Sequence, residues 1–203
     1  MTKVYVTKDV KEALSLYKKT AVLVFPTDTV YGIGADIYNE TAIKNIYEIK
    51  HRSFDKPLAV LCADKNQILH VAKSISPSMQ KLLDAFMPGG FTAVLPKRET
   101  VPDFITGGAD TVGVRIPNHP VALEILQRIG PLAVTSLNIS GEPTINNAFD
   151  AMDVFGKDVD IVIYGDDAGI GIPSTVVTES NGKIVIIRKG LITKQMIDKV
   201  LKY

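Results

Sequence analysis

Short apolar runs rich in Val, Ile and Phe alternate along the chain with stretches in which apolar residues recur at helical spacing. The runs predict strands, and a recurrence of about 3.6 residues predicts amphipathic helices. The predicted strands cover 21–25, 57–62, 91–96, 111–116, 132–136, 161–163, 175–178 and 184–188. The predicted helices cover 9–19, 40–49, 77–86, 120–129, 148–154 and 194–201. Strands interspersed with helices are typical of an α/β fold.

Two segments, 91–116 and 160–188, carry consecutive strands with no predicted helix between them. Strands connected in this way usually pair antiparallel, so we expect a twisted mixed β-sheet flanked by helices. Asn181 and Gly182 predict a hairpin that would bring Ser174 and Arg188 to the same end of the sheet. No linker or internal repeat divides the sequence, so we expect a single domain over 1–203.

The charge balance and the cysteine count exclude several protein classes. Lys and Arg total 23 against 22 Asp and Glu, a net charge of +1, which argues against a protein that coats nucleic acid. The lone Cys62 excludes an intramolecular disulfide and a Cys-rich zinc site. No apolar run reaches the ~18 residues that span a bilayer, and the N-terminus lacks a signal-peptide core. We therefore expect a cytoplasmic protein with no membrane partner.

Common catalytic motifs are absent from the sequence. It contains no GxxxxGK[ST] loop, no HExxH and no GxSxG, and its three histidines are scattered. The candidate chemistry lies instead in five polar segments beside predicted strands: 26–34, 50–57, 106–117, 135–143, and 171–177 paired with 187–190. Open α/β sheets usually bind ligands at such strand ends. Each segment alone could be an ordinary turn, but together they favour one anion-lined crevice without a protein nucleophile.

Arginines and lysines in two of these segments could bind anions. Lys50, Arg52 and Lys56 lie close together, and Arg52 can make a two-pronged contact to phosphate. They could instead interact with the dipole at the C-terminal end of a helix, which would stabilise that helix by only ~0.3–1 kcal/mol. Arg115 stands between two apolar residues, so strand alternation points it away from the core. It would then project into a crevice, or into solvent on an edge strand.

Six motifs, PTDTVYGIG, KHRSFDKPL, GVRIPNHP, TSLNISGEP, PSTVV and IRKG, resemble in order and spacing the YrdC/Sua5 family of threonylcarbamoyl-AMP synthases. The resemblance implies a YrdC-like (RibB-like) fold with a positively charged concave site. It implies synthesis of threonylcarbamoyl-AMP and pyrophosphate from L-threonine, bicarbonate or CO2, and ATP. Mg2+ would arrive on the nucleotide, with no metal held by the protein. A TsaD/Kae1-like tRNA threonylcarbamoyl transferase would then use the product for the t6A37 modification of tRNA.

The resemblance also assigns roles to individual residues. Lys50 and Arg52 would be catalytic. ATP would contact Lys50, Arg52, Lys56, Thr111, Ser136, Leu137, Asn138 and Arg188. Threonine would contact Thr29, Arg115, Thr135 and Ser174, with Arg115 clamping its carboxylate. Asp28 is the acidic residue of these motifs that could assist from outside the first layer of contacts.

Some features depart from the family pattern. Leu137 stands where the family often has alanine, so we expect it to contact the nucleotide through its backbone. Leu61 stands where some members have a histidine near threonine. The sequence ends at residue 203, so we expect the short YrdC or TsaC type rather than the longer Sua5 form.

Two other functions remain open from the sequence. A basic concavity could bind double-stranded RNA or tRNA without catalysis. The small net charge and the 7% aromatic content make this the weaker hypothesis. The other is a carbamoyl-adenylate module like the YrdC-like part of HypF, which normally belongs to a much longer chain.

Overall fold

The structure is a computed structural model that describes residues 4–145, 147–165 and 169–202. Its strands are β1 (Tyr5–Thr7), β2 (Leu23–Phe25), β3 (Gly32–Asp36), β4 (Ala59–Leu61), β5 (Phe91–Pro96), β6 (Thr111–Arg115), β7 (Leu132–Ser136), β8 (Ile161–Ile163), β9 (Thr175–Ser180) and β10 (Lys183–Arg188). Its helices are α1 (Val10–Ser15), α2 (Glu40–Ile49), α3 (Lys65–Val71), α4 (Pro77–Phe86), α5 (Asp103–Thr106), α6 (Pro120–Ile129), α7 (Ala148–Phe155) and α8 (Lys194–Lys202).

The described strands form one sheet in the order β1-β8-β2-β3-β7-β4-β6-β5-β9-β10. The pairs β1/β8, β2/β8, β4/β6 and β5/β9 are parallel. The pairs β2/β3, β3/β7, β4/β7, β5/β6 and β9/β10 are antiparallel. The predicted mixed sheet flanked by helices is therefore confirmed. None of the described helices is long and apolar enough to cross a bilayer.

The strand β3 was missed because it contains two glycines, which favour turns over strands. The close approach of the neighbouring strand explains why glycine occupies these positions. A Cβ built on Gly34 would lie 2.7 Å from Cγ2 of Val134 on the neighbouring β7.

The sequence pattern also missed β1, α3 and α5. The segment 91–116 was expected to lack a helix, and this was wrong, because the one-turn α5 interrupts it.

Successive residues of β2 face two different cores. Val24 belongs to the larger core with most of the helices, whereas its neighbours Leu23 and Phe25 face a smaller core. The smaller core also holds Ala13 of α1 and Ile125 of α6. These two helices cover part of that face of the sheet, and a cavity opens on another part.

Candidate active site

A cavity of ≈ 490 Å³ has a floor of alternate strand residues. They are Ala59 and Leu61 of β4, Thr111, Gly113 and Arg115 of β6, and Thr92 and Val94 of β5. The residues between them, such as Val60, Ala93 and Val114, belong to the larger core. The two-residue period of a strand therefore separates cavity from core.

Most of the residues predicted to bind ligands meet in this cavity although they are far apart in the sequence. Its wall contains Thr29, Arg52, Thr111, Arg115, Thr135, Ser136, Ser174 and Arg188. Lys50, Lys56, Leu137 and Asn138 are not part of the wall. Their ligand contacts stay predictions, as do the roles of the eight residues in the wall.

Arg115 reaches the cavity from the end of β6, as strand alternation predicts. Its Nε donates to the carbonyl of Gly89 at 2.9 Å, and its Nη1 donates to Oγ1 of Thr29 at 2.8 Å. Its Nη2 donates to Oδ1 of Asp28 at 2.6 Å. Burial lowers the pKa of Arg115, and Asp28 opposes that shift. A guanidinium has five N–H donors, so two remain for a ligand after these three bonds.

The loop after β2 is held by Thr27. Its Oγ1 accepts the N–H of Thr29 and of Val30, both at 3.3 Å, and donates to the carbonyl of Val30 at 2.6 Å. Thr side chains often stabilise a turn in this way, by hydrogen bonding to neighbouring backbone groups. This turn holds the hydroxyl of Thr29 next to Arg115. The segment 26–34 is therefore both a turn and a part of the candidate ligand site.

The strands β9 and β10 form the hairpin that Asn181 and Gly182 predict. Asn181 and Gly182 have φ values of 51° and 72°, and positive φ at both central residues is typical of a type I′ turn. The strand register shifts between Ile186 and Arg188, and such a bulge redirects side chains. Arg188 lines the cavity there, and its Nη2 lies 3.0 Å from both the carbonyl oxygen and Oγ of Ser174.

The end of α2 determines the position of Arg52. The Arg52 N–H bonds to the carbonyl of Tyr47 at 2.8 Å, and the His51 N–H bonds to that of Glu48 at 3.0 Å. His51 has a φ of 49°, so the turn is a Schellman motif with histidine in the left-handed position. Arg52 then donates from Nη2 to the carbonyl of Pro57 at 3.0 Å and lines the cavity.

Lys50 holds the turn after β7 in this structure. Its side chain is buried, and Nζ donates to the main-chain carbonyls of Ser136 and Asn138 and to Oδ1 of Asn138. That Oδ1 also accepts the hydroxyl of Ser136 at 2.7 Å. Burial, and secondly the charge of Arg52, lowers the pKa of Lys50 to about 7. The contact of Lys50 with ATP phosphates remains a prediction.

Leu137 and Lys56 do not face the cavity. The N–H of Leu137 donates to the carbonyl of Tyr31, and its own carbonyl accepts from Ile145, both at 2.8 Å. Both main-chain groups of Leu137 thus have partners within the protein, and its contact with a nucleotide stays a prediction. Lys56 is exposed, and its carbonyl accepts the hydroxyl of Tyr47 at 2.9 Å.

Three arginines share the wall, whereas no Asp or Glu of the described residues lines it. Burial lowers the pKa of Arg188, and the charges of Arg115 and Arg52 lower it further. Arginine stays protonated even with such shifts, so three positive charges face one volume. Within the described ranges, no three His, Cys, Asp or Glu side chains come together to hold a metal ion.

The sequence interpretation overlooked some residues of the cavity. Thr92 and Gly113 belong to strands that were predicted, and both lie on the cavity side. Strand alternation, which located Arg115, would also have located Thr92 between the buried Phe91 and Ala93. Thr27 carries no comparable signal, because its role depends on the shape of the turn.

Comparison with known proteins identifies the family of this chain. The family model for Sua5, YciO and YrdC proteins, described as "Telomere recombination", matches residues 15–190. The chain belongs to this family. Among other members, P. abyssi Sua5 complexed with L-threonine has a solved structure that matches with a TM-score of 0.90 at 36% identity. The match covers 98% of this chain and 60% of that chain.

Two curated members of the Sua5/YciO/YrdC family share more than a third of their aligned residues with this chain. A threonylcarbamoyl-AMP synthase from Pyrococcus abyssi is 39% identical over 194 residues, which is 95% of this chain and 57% of that protein. A threonylcarbamoyl-AMP synthase from Bacillus subtilis is 38% identical over 195 residues, 95% of this chain and 56% of that protein. The chain thus spans little more than half the length of these relatives.

Proposed function

We propose that the chain is an L-threonylcarbamoyladenylate synthase, a nucleotidyltransferase that uses L-threonine, bicarbonate or CO2, and ATP. The observation that carries the proposal is that Arg115, Arg52 and Arg188 face one cavity together with several hydroxyl groups. An amino-acid carboxylate and a triphosphate both need cationic partners. The relatives named threonylcarbamoyl-AMP synthase, and the threonine complex of P. abyssi Sua5, support this choice of substrates.

Threonine would bind at the Arg115 end of the cavity. The two N–H groups that Arg115 has left would take the carboxylate, since a guanidinium matches two carboxylate oxygens. Thr29, Thr135 and Ser174 would surround the rest of the amino acid. Their hydroxyls would lose a partner if valine entered, whereas serine would lose only a methyl contact of ~1–3 kcal/mol.

The ATP phosphates would lie against Arg52 and Arg188, near Ser136 and Thr111. The concave site would then bind anions, as the family resemblance implies. Oδ1 of Asp28 accepts both Nη2 of Arg115 and the N–H of Asn118, and no three His, Cys, Asp or Glu side chains of the described residues come together around a metal position. Mg2+ would therefore be held by phosphate oxygens and water, where it would neutralise phosphate charge.

The reaction needs no protein nucleophile. The threonine amine adds to CO2 and loses a proton, which gives a carbamate. A carbamate oxygen attacks the α-phosphorus, and the bond from that phosphorus to the bridging oxygen of pyrophosphate breaks. Holding the reactants together can lower the barrier by up to ~7–11 kcal/mol. Arg52 and Arg188 would stabilise the charge that develops on pyrophosphate.

The product would have to reach another enzyme. We propose a TsaD/Kae1-like tRNA threonylcarbamoyl transferase as the acceptor and the cytoplasm as the compartment. The names of the two relatives support only the synthase step. The experiment that follows therefore measures that step alone.

Pyrophosphate release tests the proposed function. The purified chain is incubated with ATP, Mg2+, bicarbonate and each amino acid in turn, and threonine-dependent release is expected. ATP cleavage without threonine, together with carbamoyl phosphate use, would indicate a HypF-like activity instead. Retention of tRNA or double-stranded RNA with neither reaction would indicate a non-catalytic RNA-binding protein.

A further inference from the structure

Thr92 forms a hydroxyl pair with Ser174 at the floor of the cavity. Its Oγ1 lies 2.8 Å from Oγ of Ser174, and both residues are buried, with relative exposures of 3% and 4%. The methyl group of Thr92 faces Gly113, where a built Cβ would lie 3.5 Å away. Thr92 has no part in the roles assigned so far, although it lines the cavity beside residues that do.

Arg188 restricts the hydrogen bonds that Ser174 can make. A guanidinium only donates, and Nη2 of Arg188 lies 3.0 Å from Oγ of Ser174, so that Oγ is an acceptor there. Between Thr92 and Ser174 either hydroxyl could be the donor. Both residues line the cavity, so the proton that the pair does not use can point into the cavity in either arrangement. Donation by Thr92 leaves that proton on Ser174, next to Arg188.

We propose that Thr92 is a positioning residue that, by donating to Ser174, turns the Ser174 proton into the cavity toward an oxygen of the amino-acid substrate. Ser174 then accepts from Arg188 and Thr92 and donates to the ligand, which uses its full hydrogen-bonding capacity. The inference rests on the proposed function, because it takes the cavity as the threonine site. It adds that Ser174 recognises an acceptor oxygen of the substrate.

Four variants test this role through threonine binding, measured by calorimetry without ATP. Thr92→Val keeps the shape but removes the donor, so the Kd for threonine should rise about tenfold, as for one lost hydrogen bond. Thr92→Ser keeps the hydroxyl and should bind threonine nearly as the unmodified chain does. Ser174→Ala should weaken binding, and adding Thr92→Val to it should weaken binding no further. ATP binding should change little in Thr92→Val and Thr92→Ser.

Additive losses in the double variant, or equal losses in Thr92→Ser and Thr92→Val, would overturn the positioning role. Thermal unfolding checks that Thr92→Val folds, and Thr92→Ala takes its place if the valine variant does not. If the unmodified chain binds no threonine and releases no pyrophosphate with it, the proposed function itself fails. An additive cycle in a chain that does bind threonine overturns only the role of Thr92.

Discussion

The buried Arg115 forms an ion pair with the half-buried Asp28 next to the cavity. Nη2 of Arg115 lies 2.6 Å from Oδ1 of Asp28, and their side chains are 8% and 15% exposed. The same oxygen accepts the N–H of Asn118 at 2.9 Å. Asp28 therefore ties β6 to the loop after β2, and it holds Arg115 in the orientation that leaves two donors for a ligand.

Removing Asp28 should destabilise the fold. Asp28→Ala leaves the charge of Arg115 buried without its partner, and such losses are ~3–5 kcal/mol. Urea unfolding measures the change. The matched control is Asp198→Ala, which removes a surface pair with Lys194 in which the two side chains are 46% and 74% exposed. Exposed pairs contribute ~0–1 kcal/mol, so similar losses in both variants would contradict the structural role of Asp28.

Arg115→Ala should raise the threonine requirement while ATP still binds. The variant removes the proposed partner of the carboxylate, and a hydrogen-bonded charge contributes ~1.5–3 kcal/mol, or about 10- to 150-fold in KM. Steady-state pyrophosphate release at varied threonine gives this value, and nucleotide binding is measured separately. Arg128→Ala is the control, since Arg128 pairs with Glu124 on the surface. Equal loss of threonine and ATP binding would refute this division of roles.

Arg52→Ala should abolish pyrophosphate release with the fold intact. The side chain lines the cavity, donates to the main-chain carbonyls of Lys56 and Pro57, and interacts with the Tyr47 hydroxyl. Among the described residues, Arg52 forms no ion pair with a buried carboxylate, so its removal leaves none unpaired. Single-turnover release measures the chemical step, and circular dichroism checks the fold. Near-normal turnover would count against Arg52 as a phosphate contact.

Burial of Lys50 should make stability depend on pH. Its pKa is lowered to about 7 in the folded chain, below the ordinary value of 10.5 for an unfolded lysine. Between these values the unfolded state binds more protons, so the free energy of unfolding should rise with pH, by at most ~1.4 kcal/mol per pH unit. Below pH 7 the cost of burying the charge is present in full.

Lys50→Met supplies the reference for this prediction. Methionine has a similar length and no charge, so its unfolding free energy should lack the rise between pH 7 and 10. Urea titrations of both proteins across that range give the difference. Parallel pH profiles would show that Lys50 does not titrate in this window.

Regular strands explain what the sequence could predict, and irregular turns explain what it could not. Alternation predicted that Arg115 points away from its apolar neighbours because β6 is regular over Thr111–Arg115, and the structure shows a cavity rather than solvent on that side. The turn at the end of α2 directs the side chain of Lys50 to two main-chain carbonyls, which no sequence pattern indicates, and its contact with phosphates stays a prediction. Arg188 reaches the cavity beside a bulge that no hydrophobic period reveals. The strand β3 was not predicted because it contains Gly34, a residue that is required there by the close packing of Val134.

The turn that positions Arg52 yields a last prediction. His51 holds a φ of 49°, a left-handed conformation that costs residues with a Cβ roughly 1–2 kcal/mol. His51→Gly should relieve this strain, although glycine also gains freedom in the unfolded chain, for a net stabilisation of ~0.5–1 kcal/mol. Asn181, with a φ of 51°, is the control, because asparagine tolerates this conformation and Asn181→Gly should change stability little. Thermal unfolding compares the two, and pyrophosphate release by His51→Gly should stay near normal if the turn keeps Arg52 in place. A destabilised His51→Gly would show that the imidazole makes contacts that outweigh the strain.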